Sequence, residues 1–214
     1  IVAPKGVYST WVNKEIQAHL PDHVAYDMVK WTAGHTQKFL KELEKLFVYD
    51  DNLKILVMNI EAFSTKKGCQ YANKFIQSNK TMFIIDESTT IKNPSAKRTI
   101  SCVRLGKYAH YRRILTGSPI TKSPLDLYSQ CMFLDPALLG FSSYFSFRAR
   151  YADMKEMTGQ GRTFKMVTGY KNLEELNETL GKFSHRVLKK DCLDLPEKIY
   201  IRREIQMTAE QTKA

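Results

Sequence analysis

Paired cysteines are missing from this chain. Cys69, Cys102, Cys131 and Cys192 are scattered and no two form a CxxC pair. That excludes a zinc ribbon or a dense disulfide framework and points to isolated core thiols in a reducing compartment. No apolar run approaches the roughly 18 residues of a membrane span, so no membrane partner is expected. No stretch has the pattern of a secretory signal. Acidic residues are scarce: 22 Asp and Glu face 33 Lys and Arg, a net charge of +11. An excess of that size draws polyanions by long-range attraction and counterion release. His19 and His23 have a metal-compatible spacing, but Pro21 lies between them and breaks the helix that would align them. Also absent is a phosphate-binding loop of the form G-x-x-x-x-G-K followed by Ser or Thr. The chain begins at Ile1 without an initiator methionine, in an apolar stretch ending at Pro4. The stretch reads as the tail of a strand, and upstream sequence is expected.

What is present is enough for a sizeable core, with 43% of the 214 residues hydrophobic. Apolar runs alternate with amphipathic segments, the pattern of a parallel sheet covered by helices. Strands are expected at Ile1–Ala3, His23–Val29, Leu53–Met58, Thr81–Ile85 and Tyr111–Leu115. Helices are expected over Tyr8–Leu20, Thr36–Val48 and Thr65–Ser78. Ser95 is the expected cap of a further helix running to Tyr108, and Pro124 opens one that ends near Pro136. Beyond that the alternation weakens. Phe141–Tyr151 is aromatic and helical in pattern, Met154–Gly169 reads as loop or hairpin, and Asn172 with Glu175 reads as a helix cap. Lys198–Met207 is β-rich and reads as a strand or a linker. No repeat is present, and no Gly/Ser linker separates residues 1–135 from an extension over 136–214.

Asp86-Glu87-Ser88-Thr89 follows the apolar run Met82–Ile85. A strand that delivers two acids to its carboxyl end suits magnesium binding and water positioning in phosphoryl transfer. Asp86 is the candidate anchor for Mg2+, held through water because magnesium dehydrates reluctantly. Glu87 is the candidate base or water-positioning residue. Thr116-Gly117-Ser118 leaves the next strand on a glycine turn, and adjacent parallel strands would set it beside the two acids. Its expected role is to sense the γ-phosphate and relay its state. Pro4-Lys5-Gly6 with Ser9 opens a helix after the first strand and suits one phosphate of a nucleic-acid strand. Lys92-Asn93 with Lys97-Arg98 forms a second basic segment. Arg112-Arg113 lies on a strand and reads as structural, and the clustering of Phe141, Tyr144, Phe145 and Phe147 reads as core rather than as a base-stacking platform.

Taken in order, these blocks resemble the first motor lobe of helicase superfamily two, and more narrowly the Swi/Snf-like DNA-dependent ATPases. The resemblance covers nearly the whole chain. Ile1-Val2-Ala3-Pro4-Lys5 with Trp11 resembles the segment that touches the DNA backbone after the Walker A helix. Val57-Met58-Asn59-Ile60-Glu61 resembles the next backbone-contacting block, which brings Asn59 into the set. Asp86-Glu87-Ser88-Thr89 stands in the place of the Asp-Glu-x-His box, Ile91-Lys92-Asn93 is its distinctive continuation, and Leu115-Thr116-Gly117-Ser118-Pro119-Ile120 resembles the Leu-Thr-Gly-Thr-Pro block. Phe133-Leu134-Asp135-Pro136 resembles Phe-Leu-x-Pro. Arg186 to Asp191, then Leu195-Pro196-Glu197-Lys198, resembles the end of lobe one. Thr89 departs from the usual histidine and Ser118 from threonine.

The resemblance implies an α/β fold: a RecA-like parallel sheet flanked by helices, with a C-terminal, mainly helical extension leading toward a second RecA-like lobe in cis. It implies ATP and Mg2+ as cofactors and duplex DNA as the partner, in a motor that translocates and displaces an unspecified protein. The fragment alone is expected not to turn over ATP, because it carries neither the Walker A loop nor the arginine of the second lobe. A chain without the Walker A strand would also leave unpaired backbone and apolar surface in its sheet. A strand-separating DNA or RNA helicase is one alternative, and a non-catalytic nucleic-acid-binding or scaffold lobe is another. The setting expected is cytoplasmic for a bacterial or viral protein and nuclear for a eukaryotic one.

Overall fold

In the computed structural model, the described residues are 1–34, 36–159, 162–192, 194, 196, 199–205 and 208. They fall into two compact units, Ile1–Thr179 and Leu180–Ala214.

The first unit is built on a five-stranded parallel sheet of order β2-β3-β1-β4-β5. Its strands are β1 Val2–Ala3, β2 Tyr26–Lys30, β3 Leu53–Asn59, β4 Met82–Asp86 and β5 Tyr111–Leu115. β1 is short yet central, pairing Val2 with Met58 on one side and with Ile85 on the other. Four consecutive residues of β3, Ile55 to Met58, are buried, as expected of a strand covered on both faces. β5 is an edge strand, and Tyr111 and Leu115 are half-exposed along it.

The helix after β1 is continuous but irregular. It runs through α1 Tyr8–Thr10, a π segment Trp11–Glu15 and α2 Ile16–His19, and Leu20 turns extended before Pro21. α3 Gln37–Lys45 is capped by Thr36, whose Oγ1 accepts from the Phe39 amide. α4 Lys66–Ser78 is capped in the same way by Thr65 through the Gly68 amide. Gly68 is required there, since a Cβ would stand 2.3 Å from the Ala62 carbonyl oxygen of the 3-10 turn Ile60–Ser64. α5 Lys97–Gly106 differs from expectation at its start. Its N-cap is Ala96, which gives no side-chain bond, because Ser95 is already held by Asn93 Oδ1 through both its amide and its hydroxyl. α6 Leu127–Leu134 follows the 3-10 turn Pro124–Asp126, which Ser123 caps.

Aromatic contacts tie helices to sheet. Phe83 of β4 stacks edge-on against Phe133 of α6 at 4.9 Å and lies 5.7 Å from Phe63. Phe63 and Phe133 are among the most buried side chains of the chain. Trp31 meets Phe39 at 5.8 Å and Tyr71 at 5.1 Å, which seats α3 and α4 beside β2.

Past residue 135 come α7 Tyr144–Tyr151, an antiparallel hairpin of β6 Ala152–Gly159 and β7 Arg162–Tyr170, and α8 Leu173–Gly181. The stretch read as loop or hairpin is therefore a hairpin. Phe147 is fully buried among Tyr128, Phe141 and Tyr151, in keeping with a core reading, whereas Phe145 is 69% exposed. The helix expected after Asn172 forms as α8, but Asn172 and Glu175 do not cap one another. Asn172 takes a left-handed φ of 53° and donates to the Arg150 carbonyl, and the Glu175 carboxylate is taken by Arg150 and by Tyr151.

In the second unit, α9 Lys189–Cys192 is the helix that lies wholly within the described residues. Described residues 199–205 carry no regular structure, so the strand reading of Lys198–Met207 fails there. Leu195, Glu197, Lys198 and Met207 lie outside the described residues.

Candidate functional site

β4 pairs in parallel with β5 so that Asp86 stands opposite Leu115. The two acids and the Thr116 turn therefore leave adjacent strands at the same edge. The chain reverses at once after Asp86. Glu87 adopts φ 49° and ψ 63°, the left-handed region that few residues with a Cβ occupy, and a 3-10 turn Ser88–Ile91 follows. Such a conformation costs about 1–3 kcal/mol and persists where the surroundings fix it.

The surroundings do fix it. Glu87 Oε1 accepts from the Thr89 hydroxyl at 2.8 Å and from the Thr116 hydroxyl at 3.0 Å. The Asp86 carboxylate is held as firmly, with Oδ1 accepting the Glu87 amide at 2.9 Å and Oδ2 accepting the Trp11 indole N–H at 2.8 Å. Beneath the turn, buried Ser88 donates to Gln130 Oε1 at 2.6 Å. The Gln130 amide donates in turn to the carbonyls of Pro119 and Asp126, both at 2.8 Å. One fully buried glutamine of α6 thus ties the acidic loop to the Thr116–Pro119 loop.

A second tie lies closer to solvent. Asp126 Oδ2 accepts the amides of Thr121 and Lys122 and the Thr121 hydroxyl. Lys92 bonds the Thr121 hydroxyl and stands 3.7 Å from the same carboxylate. Burial would raise the Asp126 pKa, but the Lys122 amide, both Thr121 donors and the Lys92 charge outweigh it and leave the carboxyl below its ordinary value.

The sequence-selected residues divide into two groups. Asp86, Glu87 and Thr116 meet directly; Ser118 joins them through its amide, which donates to Thr116 Oγ1, while its hydroxyl turns to the Ile120 carbonyl. Gly117 makes no crowded approach, and a Cβ there would meet open space. Pro4, Lys5 and Gly6 follow β1, and Asn59 ends β3 opposite Ala3, so they share the carboxyl edge of the sheet with Asp86. Lys5 and Gly6 are exposed. Ser9 accepts from Lys30 at 2.7 Å, and Asn59 donates to Glu61 at 3.0 Å. Asn93 serves a local turn, Arg98 donates to the Thr90 carbonyl, and Lys97 is exposed.

The donor set fits a hard divalent cation. Among the described residues no group of three or more His, Cys, Asp or Glu gathers into a metal cage. One or two carboxylates completed by water and phosphate oxygens is the usual way Mg2+ is held.

Sequence reasoning missed Gln130, Asp126 and the bond from Trp11 to Asp86. A glutamine within the mostly apolar segment Leu127 to Leu134 was the available signal for the first. No helix among the described residues is long and apolar enough to cross a membrane.

Comparison with known proteins agrees with this architecture. The family model described as the SNF2-related domain matches residues 1–214. A Caenorhabditis elegans homolog of SWI/SNF-related matrix-associated actin-dependent regulator of chromatin subfamily A-like protein 1 is 38% identical over 57% of this chain and 17% of its own. TATA-binding protein-associated factor mot1 of Aspergillus fumigatus is 35% identical over 54% of this chain and 6% of its own. The chromatin-remodeling ATPase INO80 of Eremothecium gossypii is 27% identical over 100% of this chain and 14% of its own. This chain thus spans a small part of each relative. The Sulfolobus solfataricus SWI2/SNF2 ATPase core, solved in complex with dsDNA, shares the fold with a TM-score of 0.50 at 24% identity. That match covers 70% of this chain and 27% of the other.

Proposed function

The chain belongs to the SNF2-related domain family, and we propose that it forms most of the first lobe of an ATP-driven motor that translocates on duplex DNA. Residues 1–135 act as the RecA-like lobe, and residues 136–214 lead from it toward a second lobe in cis. The observation that carries this reading is the strained Glu87, whose carboxylate two hydroxyls from adjacent loops hold beside Asp86.

In this reading Glu87 orients the attacking water and accepts its proton, and Asp86 anchors Mg2+ through bound water. The metal, when bound with ATP, supplies charge neutralisation for the transferring phosphoryl group. Thr116 bonds the same Glu87 oxygen and is the sensor of the γ-phosphate, with Gly117 and Ser118 shaping its turn. Thr89 stands where the family pattern has a histidine, and its hydroxyl donates to Glu87.

Nucleic acid runs along the carboxyl edge of the sheet, over Pro4, Lys5, Gly6, Ser9 and Asn59, with Asn93, Lys97 and Arg98 beyond the acidic turn. Lys92 contributes charge from its place between Thr121 and Asp126. Contacts of this kind read backbone and carry no base preference. The phosphate loop and the transition-state arginine come from elsewhere in the intact protein, and residues 1–214 alone do not hydrolyse ATP. The protein works where duplex DNA is present, in the cytoplasm of a bacterial or virus-infected cell or in a nucleus.

The test is ATP hydrolysis and strand separation by the intact protein on duplex DNA, single-stranded DNA and RNA. The reading expects duplex stimulation without unwinding of a tailed duplex. Stimulation by single strands or RNA with unwinding would make it a helicase, and silence on all three would leave a binding module.

A further inference from the structure

Asp86 receives its second hydrogen bond from a part of the chain that is remote in sequence. The Trp11 indole reaches it from the π segment Trp11–Glu15, in which the Ile16 amide bonds the Trp11 carbonyl five residues back. A π turn inside an α-helix is rare and re-aims the side chains it carries. Here Trp11 reaches the metal end of the site, and two residues earlier Ser9 lies under Lys30. Lys30 also covers the Tyr8 ring at 4.7 Å. One short helix therefore touches the polyanion edge with Tyr8 and Ser9 and touches Asp86 with Trp11.

We propose that Trp11 is a positioning residue. Its N–H fixes the Asp86 carboxylate for metal binding and links occupancy of the Ser9–Lys30 edge by a polyanion to that carboxylate. This rests on the ATPase reading of Asp86. The physical case is geometric. A carboxylate held by one backbone amide can swing about its side-chain torsions, whereas a second donor on the other oxygen leaves one orientation. The donor is an indole, which gives a single hydrogen bond and has no charge to compete with a cation. A displacement of the Tyr8–His19 helix under a bound phosphate strand would move the indole and with it the carboxylate.

The test compares wild type, Trp11→Phe and Trp11→His in the intact protein. The readout is the Mg2+ concentration that half-saturates binding of a fluorescent ATP analogue, with and without a short DNA duplex. Trp11→Phe keeps an aromatic ring and loses the donor, and it is expected to raise that concentration by about tenfold. Trp11→His restores an N–H and recovers part of the loss. The duplex shifts the wild-type value and leaves that of Trp11→Phe unmoved. A Trp11→Phe protein with the wild-type Mg2+ dependence, with and without duplex, would overturn the proposal. If wild type itself shows no Mg2+-dependent binding, the ATPase reading falls first and this one with it.

Thermal melting covers the case in which Trp11→Phe merely loosens the fold. The substitution should lower the midpoint less in an Asp86→Ala background than in wild type, because the bond is already lost there. An equal drop in both backgrounds would contradict the link.

Discussion

The Thr116 hydroxyl donates to Glu87 Oε1 at 3.0 Å across two parallel strands whose register sets Leu115 opposite Asp86. Two loops that are 29 residues apart in sequence thereby share one carboxylate oxygen. Thr116→Val keeps the shape of the side chain and removes that donor. A hydrogen bond to a charged group contributes about 1.5–3 kcal/mol. If the bond holds in the transition state, ATP hydrolysis by the intact protein falls by about tenfold to a hundredfold. Steady-state kinetics with Thr116→Val and Thr116→Ser check this, and Ser should recover most of the rate. Equal rates for Val and wild type would remove Thr116 from the site.

Gln130 makes a structural prediction. It is fully buried and joins Ser88 to the Pro119 and Asp126 carbonyls. Gln130→Leu fills the space and leaves those partners unsatisfied, at a cost of about 1–3 kcal/mol for a buried polar group left unpaired. Urea unfolding should show a lower midpoint. Ser88→Ala breaks one bond of the set and should cost less.

Asp126 sets a pH dependence. Its folded pKa lies below the ordinary 3.8, so its contribution to stability is present above that value and is lost as pH falls through the folded pKa. Asp126→Asn removes the contribution. The stability gap between wild type and Asp126→Asn should be full near neutral pH and close on the acid side of pH 3.8. A gap that widens toward acid would mean the carboxyl is held above its ordinary value.

Much of this was legible in the sequence for physical reasons. The runs Leu53–Met58 and Thr81–Ile85 are apolar enough to read as strands, and β3 and β4 match them within a residue or two. Asp86 and Glu87 stood out because Ile91-Lys92-Asn93 and Leu115-Thr116-Gly117-Ser118-Pro119 follow them in order. The cap at Ser95 misled because Asn93, two residues earlier, captures its amide and hydroxyl first. The pairing of Asn172 with Glu175 misled because Arg150 and Tyr151 compete for the carboxylate, and competition from another element leaves no local trace. The hairpin Ala152–Tyr170 stayed ambiguous because Met154–Gly169 carries glycines at 159, 161 and 169 and no clear hydrophobic period. The bonds of Gln130 and Trp11 to the acidic turn were not legible in the sequence, since their partners lie 42 and 75 residues away and only the folded topology brings them together.

Glu87 is proposed to activate water for ATP hydrolysis in a duplex-driven motor. The most direct measurement is ATP hydrolysis by the intact protein, wild type beside Glu87→Gln, with and without duplex DNA. Loss of the base should lower the duplex-stimulated rate by about 10²–10⁴-fold, while binding of the nucleotide persists. A Glu87→Gln protein that hydrolyses ATP at the wild-type rate, or a wild type that duplex DNA does not stimulate, would contradict that role.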